Sequence, residues 1–393
     1  MTFRARALPE AQRRAVQRAS HGDLLREIPV ADAGRATRPP VDAIIVPAHR
    51  SAERLYEIAA LATVSGTRLV VLASHACHLG EVEKVVASVP GCRALIADVP
   101  ESFSHPLLQF QTSSARFADL SPGRHSDLSV KRNLGLLLAR LSGWRKIMFL
   151  DDDMFGIQTR HLALLSAQLE RSPIAGMVAR AFPDNSVVCH ASRLSGNPQG
   201  NFITGGALGV HTGDLPLDFF PDIYNEDWFF FAQRAAVGGV AMVGTAQQEE
   251  FNPFGRPGRA TQEEFGDVLA EGLFARIGRS TGVAAPDPGY WRLFMDSRAE
   301  LIDRISAALE RMPSVECILA RESLRHAQKQ LAVIQPSDCA DFVAAWLEDR
   351  ADFAFRSSRW SSIADHRGAL DVLGLERWLS IDWTESSALY SLR

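Results

Sequence analysis

Lys146-Ile147-Met148-Phe149-Leu150-Asp151-Asp152-Asp153 decides the fold: a run of strand character leads directly into three carboxylates. A short apolar run with a polar break at its end reads as a strand buried on both faces of a parallel sheet. Three adjacent carboxylates at such a strand end repel one another and call for a positive partner, the simplest being a divalent cation. The triplet therefore points to metal-diphosphate chemistry. A solvated turn would carry the same residues, but the buried character of the preceding strand argues against it.

Working upstream, short apolar runs alternate with longer amphipathic segments from Val41 onward, the pattern of a βαβ array. Strands are expected at Ala43 to Val46, Arg68 to Ala73 and Arg93 to Ala97. Helices are expected at Ala52 to Ser65, Leu79 to Ser88 and Leu128 to Ser142. In such sheets ligands sit beyond the carboxyl ends of the strands, where Pro47-Ala48-His49-Arg50 and the triplet both fall. Residues 1–40, with a helical stretch around Pro9 to Leu25 and a closing Arg38-Pro39-Pro40, read as an N-terminal arm.

Downstream, Ile174 to Val178 and Val187 to Ala191 have strand character, and the Gly-punctuated stretch from Gly200 ends in a strand near Val210. Pro221 to Asp227 opens an aromatic helix, Trp228 to Ala236, followed by a strand at Val240 to Val243. The polar loop Gln247 to Ala260 has the composition of a mobile lid. Beyond Thr261 the spacing is almost wholly helical: Gln262 to Ile277, Tyr290 to Arg311, Val315 to Val333 and Ser337 to Glu348. The expected architecture is α/β, a mostly parallel sheet flanked by helices over 41–260, with a helical C-terminal subdomain over 261–393.

Bulk properties narrow the function. With 393 residues and 46% hydrophobic content the chain can bury a sizeable core. A net charge of -4 and scattered basic residues leave no electrostatic footprint for nucleic acid. The five cysteines are widely spaced and form no CxxC pair, which argues against a disulfide framework and fits a reducing cytoplasm. No apolar run approaches the roughly 18 residues of a transmembrane segment.

Val46-Pro47-Ala48-His49-Arg50-Ser51-Ala52-Glu53-Arg54-Leu55 resembles the I-P-x-x-N-R-x-x-x-L opening of family-2-type glycosyltransferases with the GT-A fold. Ser129-Val130-Lys131-Arg132-Asn133-Leu134-Gly135 is similar to their R-N-x-G helix. Asp151-Asp152-Asp153 looks like their DxD motif, Gly205-Gly206 like the acceptor-side glycines, and Glu226-Asp227 like the ED helix start. These follow in the family's order across roughly residues 41–255.

The resemblance implies a nucleotide-sugar donor, a Mn²⁺ or Mg²⁺ on its diphosphate, and sugar transfer to an acceptor hydroxyl or amine. Diphosphate leaves readily only when its developing charge is neutralised, which a carboxylate-held cation achieves as a Lewis acid. Carried over, Asp153 is the direct metal ligand, and Asp151 contacts the metal shell or the ribose. Asp152 belongs to the same donor-binding group. Pro47, Ala48, His49 and Arg50 border the nucleotide. Lys131 and Arg132 add positive charge there, and Asn133 fixes the helix against the donor.

Asp227, with Glu226 second, is the expected general base, and the helix start favours both as anions. Retention of configuration would instead give them the task of binding hydroxyls. Gly205 and Gly206 are expected on the acceptor side, where Trp228 could stack on a sugar face. The acceptor is expected to be a small soluble molecule, with the C-terminal helices shaping its pocket or a homo-oligomer.

Two departures stand out. The family's uracil-reading Asp after the second strand is replaced by Ser74-His75. Its late metal-binding His is absent, leaving Gln248, Glu249, Asn252 or water to complete the coordination. A nucleotidyltransferase or sugar-nucleotide pyrophosphorylase shares the core and metal logic but usually opens on a Gly-rich loop, which Pro47-Ala48-His49-Arg50 lacks. A non-catalytic sugar-nucleotide-binding protein is the alternative from outside enzymology.

Overall fold

The central strands are apolar on both sides because both faces of their sheet are covered. Ile45, Val70, Leu95 and Phe149 point into one core, while Ile44, Val71, Ile96 and Met148 point into the other. The structure, a computed structural model, describes residues 24–27, 40–180, 182, 186–197, 202–213, 216–277, 283–363, 365–384 and 387–392.

Two strands have only two residues, β1 (Arg26–Glu27) and β6 (Met154–Phe155). The nine longer ones are β2 (Ala43–Ala48), β3 (Arg68–Ala73), β4 (Ala94–Asp98), β5 (Lys146–Leu150), β7 (Ile174–Arg180), β8 (Ile203–His211), β9 (Val240–Gln248), β10 (Trp378–Thr384) and β11 (Ser387–Leu392). All belong to one mixed sheet of order β1-β9-β7-β8-β5-β2-β3-β4-β10-β11, with β6 pairing off this path against β9. The core β4-β3-β2-β5 is parallel. On one side, β8 runs antiparallel to both β5 and β7.

Helices α1 (Tyr56–Ser65), α2 (Leu79–Ala87) and α5 (Thr159–Leu169) cover one face. The other face carries α4 (Leu128–Leu141), α6 (Val187–Leu194), α7 (Glu226–Ala236) and the C-terminal helices α8 (Arg259–Ile277), α9 (Pro288–Glu310), α10 (Val315–Leu331) and α11 (Pro336–Ser358). Short helices α3 (Ala115–Ala118) and α12 (His366–Val372) complete the set among the described residues. None of the described helices is long and apolar enough to cross a membrane.

The α/β class with its parallel core, the triplet strand and the four C-terminal helices agree with the sequence reading, and three features differ. Val187 to Ala191 is helical, not a strand: the Ser186 hydroxyl caps α6 by accepting from the Cys189 amide at 3.2 Å. A five-residue apolar run is too short for periodicity to separate the two states, and a capping serine favours the helix. Helix α5 was not foreseen. The C-terminal region also ends in a hairpin, with β10 antiparallel to β4. The helix expected at Pro9 to Leu25 falls, apart from its last two residues, outside the described residues.

Candidate functional site

Helix α4 buries three consecutive polar side chains, and each ties down a different part of the carboxyl edge. Lys131 donates to the Ala48 carbonyl at 2.8 Å and the Ser74 hydroxyl at 2.6 Å, and pairs with Asp127 at 3.0 Å. Arg132 donates to both oxygens of Asp151, at 2.9 and 3.1 Å, and also to Glu226. The Asn133 side-chain amide donates to the Phe220 carbonyl and accepts from the Phe220 amide, both at 2.8 Å. Polar residues buried in a helix are tolerated when most of their bonds are satisfied in this way; among the described residues only Arg132 Nε of these donors lacks a partner.

These bonds engage three residues expected near the donor within the fold itself. Lys131 is fully buried, and its ammonium fastens the ends of β2 and β3. Asn133 holds the segment ahead of α7. Ala48 is buried, with its carbonyl bonded to Lys131 and the Ser74 amide.

The three aspartates divide their work. Asp152 Oδ2 accepts from the His49 and Arg50 amides at 2.9 and 3.0 Å, and its other oxygen takes the Arg50 guanidinium. Burial alone would raise this carboxyl, but Arg50 and the two amides outweigh it and hold Asp152 below the usual carboxylate range. Asp152 thus fixes the turn after β2. All three aspartates line a cavity of about 200 Å³ together with Pro47, His49 and His75. His75 sits at φ 51°, an uncommon conformation for a residue with a side chain.

On the other side of Asp151 lies a cavity of about 320 Å³ containing Arg132, Gly205, Gly206, Glu226, Asp227 and Trp228. The Gly205 amide donates to Asp227 Oδ2 at 2.7 Å, and the Trp228 amide to Oδ1 at 2.9 Å. A Cβ on Gly206 would stand 3.0 Å from Asp151 Oδ2, so the two glycines let the carboxylates lie flat on β8. Trp228 packs on Phe202 and Phe274, with ring centroids 5.4 and 4.7 Å away. At Glu226, burial and the Asp227 charge push the carboxyl up to about 7 against the pull of Arg132. Burial thus opposes the helix-end field and the Arg132 charge at this position.

A third cavity, of about 540 Å³, shares Asp153 with the first and Arg256 and Arg259 with the second. The three form one cleft around the triplet. Arg124, which pairs with Asp222 beside this cleft, and Asp127, which supports Lys131, escaped the sequence reading. The i, i+4 spacing of Asp127 and Lys131 was the available signal for the second.

The donor set fits one divalent ion at Asp153. The β6-β9 pairing places Met154 opposite Gln248, which brings the Gln248 amide nitrogen to 3.3 Å from Asp153 Oδ2. The Gln248 Oε1 is buried with no hydrogen-bond donor, an acceptor that a cation would satisfy. Glu249 is instead paired with Arg54, and Asn252 accepts from the Phe254 amide. Magnesium-like ions are often held by one or two carboxylates and completed by substrate phosphates; Asp151 and Asp153 share one cavity, with Asp151 bonded to Arg132 and Asp153 Oδ2 to Arg50 at 3.0 Å. Among the described residues, a tighter trio of donors, Cys189, Asp267 and Glu271, occurs on α6 and α8, away from the triplet.

Fold and site together define an α/β protein with a mixed, parallel-cored sheet and an acidic cleft at the strand ends. No protein-family model matches the chain, and no curated protein matches it.

Proposed function

We propose that this protein is a metal-dependent glycosyltransferase of GT-A type, moving a sugar from a nucleoside-diphosphate donor to an acceptor hydroxyl. One observation carries this reading: Arg132 joins the triplet to the start of α7, through Asp151 on one side and Glu226 on the other. A solvated turn and an ordinary capped helix would have no reason to meet at a buried guanidinium.

In this reading the nucleotide lies in the cavity of Pro47, His49 and His75, and its diphosphate reaches Asp153. A divalent ion held by Asp153, Asp151 and Gln248 would neutralise the leaving diphosphate. Arg256, exposed and with no ion pair among the described residues, lines the cleft between Asp153 and Asp227 and adds positive charge to the same group. Asp227 takes the proton of the acceptor hydroxyl as its oxygen attacks the anomeric carbon and the bond to the diphosphate breaks. The two amides on Asp227 fix its orientation. A single displacement of this kind inverts the anomeric centre.

The test is calorimetric titration of nucleoside diphosphates and their sugars, with and without Mn²⁺, into wild type and Asp153→Ala. Metal-dependent binding of one nucleotide, lost in the variant, is expected. Absence of binding under every condition would remove the reading.

A further inference from the structure

Arg50 is pinned at its backbone and divided at its side chain. Its amide donates to Asp152 Oδ2 at 3.0 Å, which fixes the residue just beyond β2. One guanidinium nitrogen, Nη1, holds Asp152 Oδ1, and the other, Nη2, donates to Asp153 Oδ2 at 3.0 Å. The same Asp153 oxygen accepts from the Gln248 side-chain amide at 3.3 Å. The Asp152 side chain is 2% exposed and that of Asp153 10%, whereas the Arg50 side chain is 35% exposed and is the most open of the three.

This ion pair also marks a boundary. Arg50 and Asp153 line both the cavity of about 200 Å³ that holds His49 and His75 and the cavity of about 540 Å³ that holds Arg256. A ligand spanning the two meets both side chains.

Charge decides what that boundary accepts. The triplet supplies three carboxylates, and two guanidiniums already answer them: Arg132 on both oxygens of Asp151, and Arg50 on Asp152 and Asp153. A bare divalent cation at Asp153 would share its carboxylate with a guanidinium, and like charges at such range repel. To bind there, the cation must loosen Arg50, and a guanidinium taken from one anion needs another. A diphosphate brings one. Some of its oxygens match the planar fork of arginine, while others complete the coordination of the cation.

We propose that Arg50 makes this cleft selective for a divalent cation joined to a diphosphate: the guanidinium gives up Asp153 to the cation, keeps Asp152, and takes a diphosphate oxygen. The proposal rests on the transferase reading and adds a coupling to it. Cation and diphosphate each strengthen the binding of the other, by the same factor in either direction, and Arg50 sets the size of that factor. Asp152 keeps the exchange local, since it holds both the Arg50 amide and Nη1 and leaves Nη2 to change partners.

The probes are Mn²⁺ alone, the diphosphates of adenosine, cytidine, guanosine and uridine alone, and each diphosphate with Mn²⁺. All are titrated calorimetrically into the full chain, Arg50→Lys and Arg50→Gln. Lysine keeps a cation beside Asp152 but is a point charge without the fork that spans two carboxylates, and glutamine removes the charge. Wild type is expected to bind Mn²⁺ alone roughly tenfold more weakly than with a diphosphate. Both variants should bind Mn²⁺ alone about tenfold more tightly than wild type, and the gain given by the diphosphate should shrink by a similar factor. A damaged fold would weaken Mn²⁺ binding and so cannot imitate this result, and Arg50→Lys decides the matter if Arg50→Gln unfolds. Mn²⁺ alone binding Arg50→Lys no more tightly than wild type, or an undiminished diphosphate gain there, overturns the proposal and leaves the transferase reading intact. No diphosphate binding to any of the three proteins, with or without Mn²⁺, removes that reading and this proposal with it.

Discussion

Arg132 grips both oxygens of Asp151, at 2.9 and 3.1 Å, from a helix that begins well before the triplet. The same guanidinium reaches Glu226, so one buried cation serves carboxylates from the strand end and from α7. Burial would strip its proton, yet Asp151 and Glu226 hold Arg132 above its ordinary value.

Removing that cation should be costly. Arg132→Met leaves Asp151 and Glu226 facing each other in a buried site, and breaking such a pair typically costs about 3–5 kcal/mol. Urea denaturation should show that loss, with Arg132→Lys recovering part of it. A variant as stable as wild type would mean that the pairing is incidental.

Asp152 and Asp153 should respond in opposite ways despite being neighbours. Asp152→Ala strips an acceptor from two amides and from Arg50, and is expected to lower stability by about 2–3 kcal/mol. Asp153→Ala leaves Arg50 its Asp152 partner and should cost within about 1 kcal/mol, while metal-dependent nucleotide affinity falls roughly tenfold or more, about 1.4 kcal/mol. Denaturation and calorimetry on both variants separate the two roles, and equal profiles would refute the division.

Much of this was legible because strands buried on both faces leave unbroken apolar runs, as at Ala43 to Val46 and Lys146 to Leu150. Polar signals at strand ends, such as Asp151 and Asp153, could be placed on the correct edge from order alone. The internal ties were not legible. Lys131, Asn133 and Asp152 look like ligand-binding residues, yet their partners, Ala48, Ser74, Phe220, His49 and Arg50, are distant in the chain and mostly backbone groups with no sequence signature. An aromatic cluster is likewise assembled from the regions of Phe182, His190 and Phe251, which show no joint pattern.

Gly205 tests the close approach of β8 to α7. A Cβ there would lie 2.7 Å from Arg132 Nη1 and 2.8 Å from Asp227 Cβ, and such overpacking costs about 1–3 kcal/mol. Gly205→Ala should therefore lose both stability and any transferase turnover. Gly80→Ala is the control: its Cβ would meet nothing within 4 Å, in a helical position where alanine gains about 0.5–1 kcal/mol. Turnover untouched by Gly205→Ala would detach Asp227 from catalysis.

His190 gives the fold a specific acid sensitivity. Burial first, then the charges of Arg193 and Arg259, lowers its imidazole from 6.5 to about 3. The unfolded chain therefore binds a proton that the native state refuses between these values. Stability contributed by the neutral ring is full above pH 6.5 and is lost as the pH falls toward 3. Wild type should weaken by up to about 1.4 kcal/mol per pH unit across that window, beyond whatever His190→Phe shows. Because other histidines titrate equally in both proteins, the difference between the two denaturation curves at pH 5 and pH 8 isolates this residue. A difference that stays constant with pH would mean that the native ring charges normally.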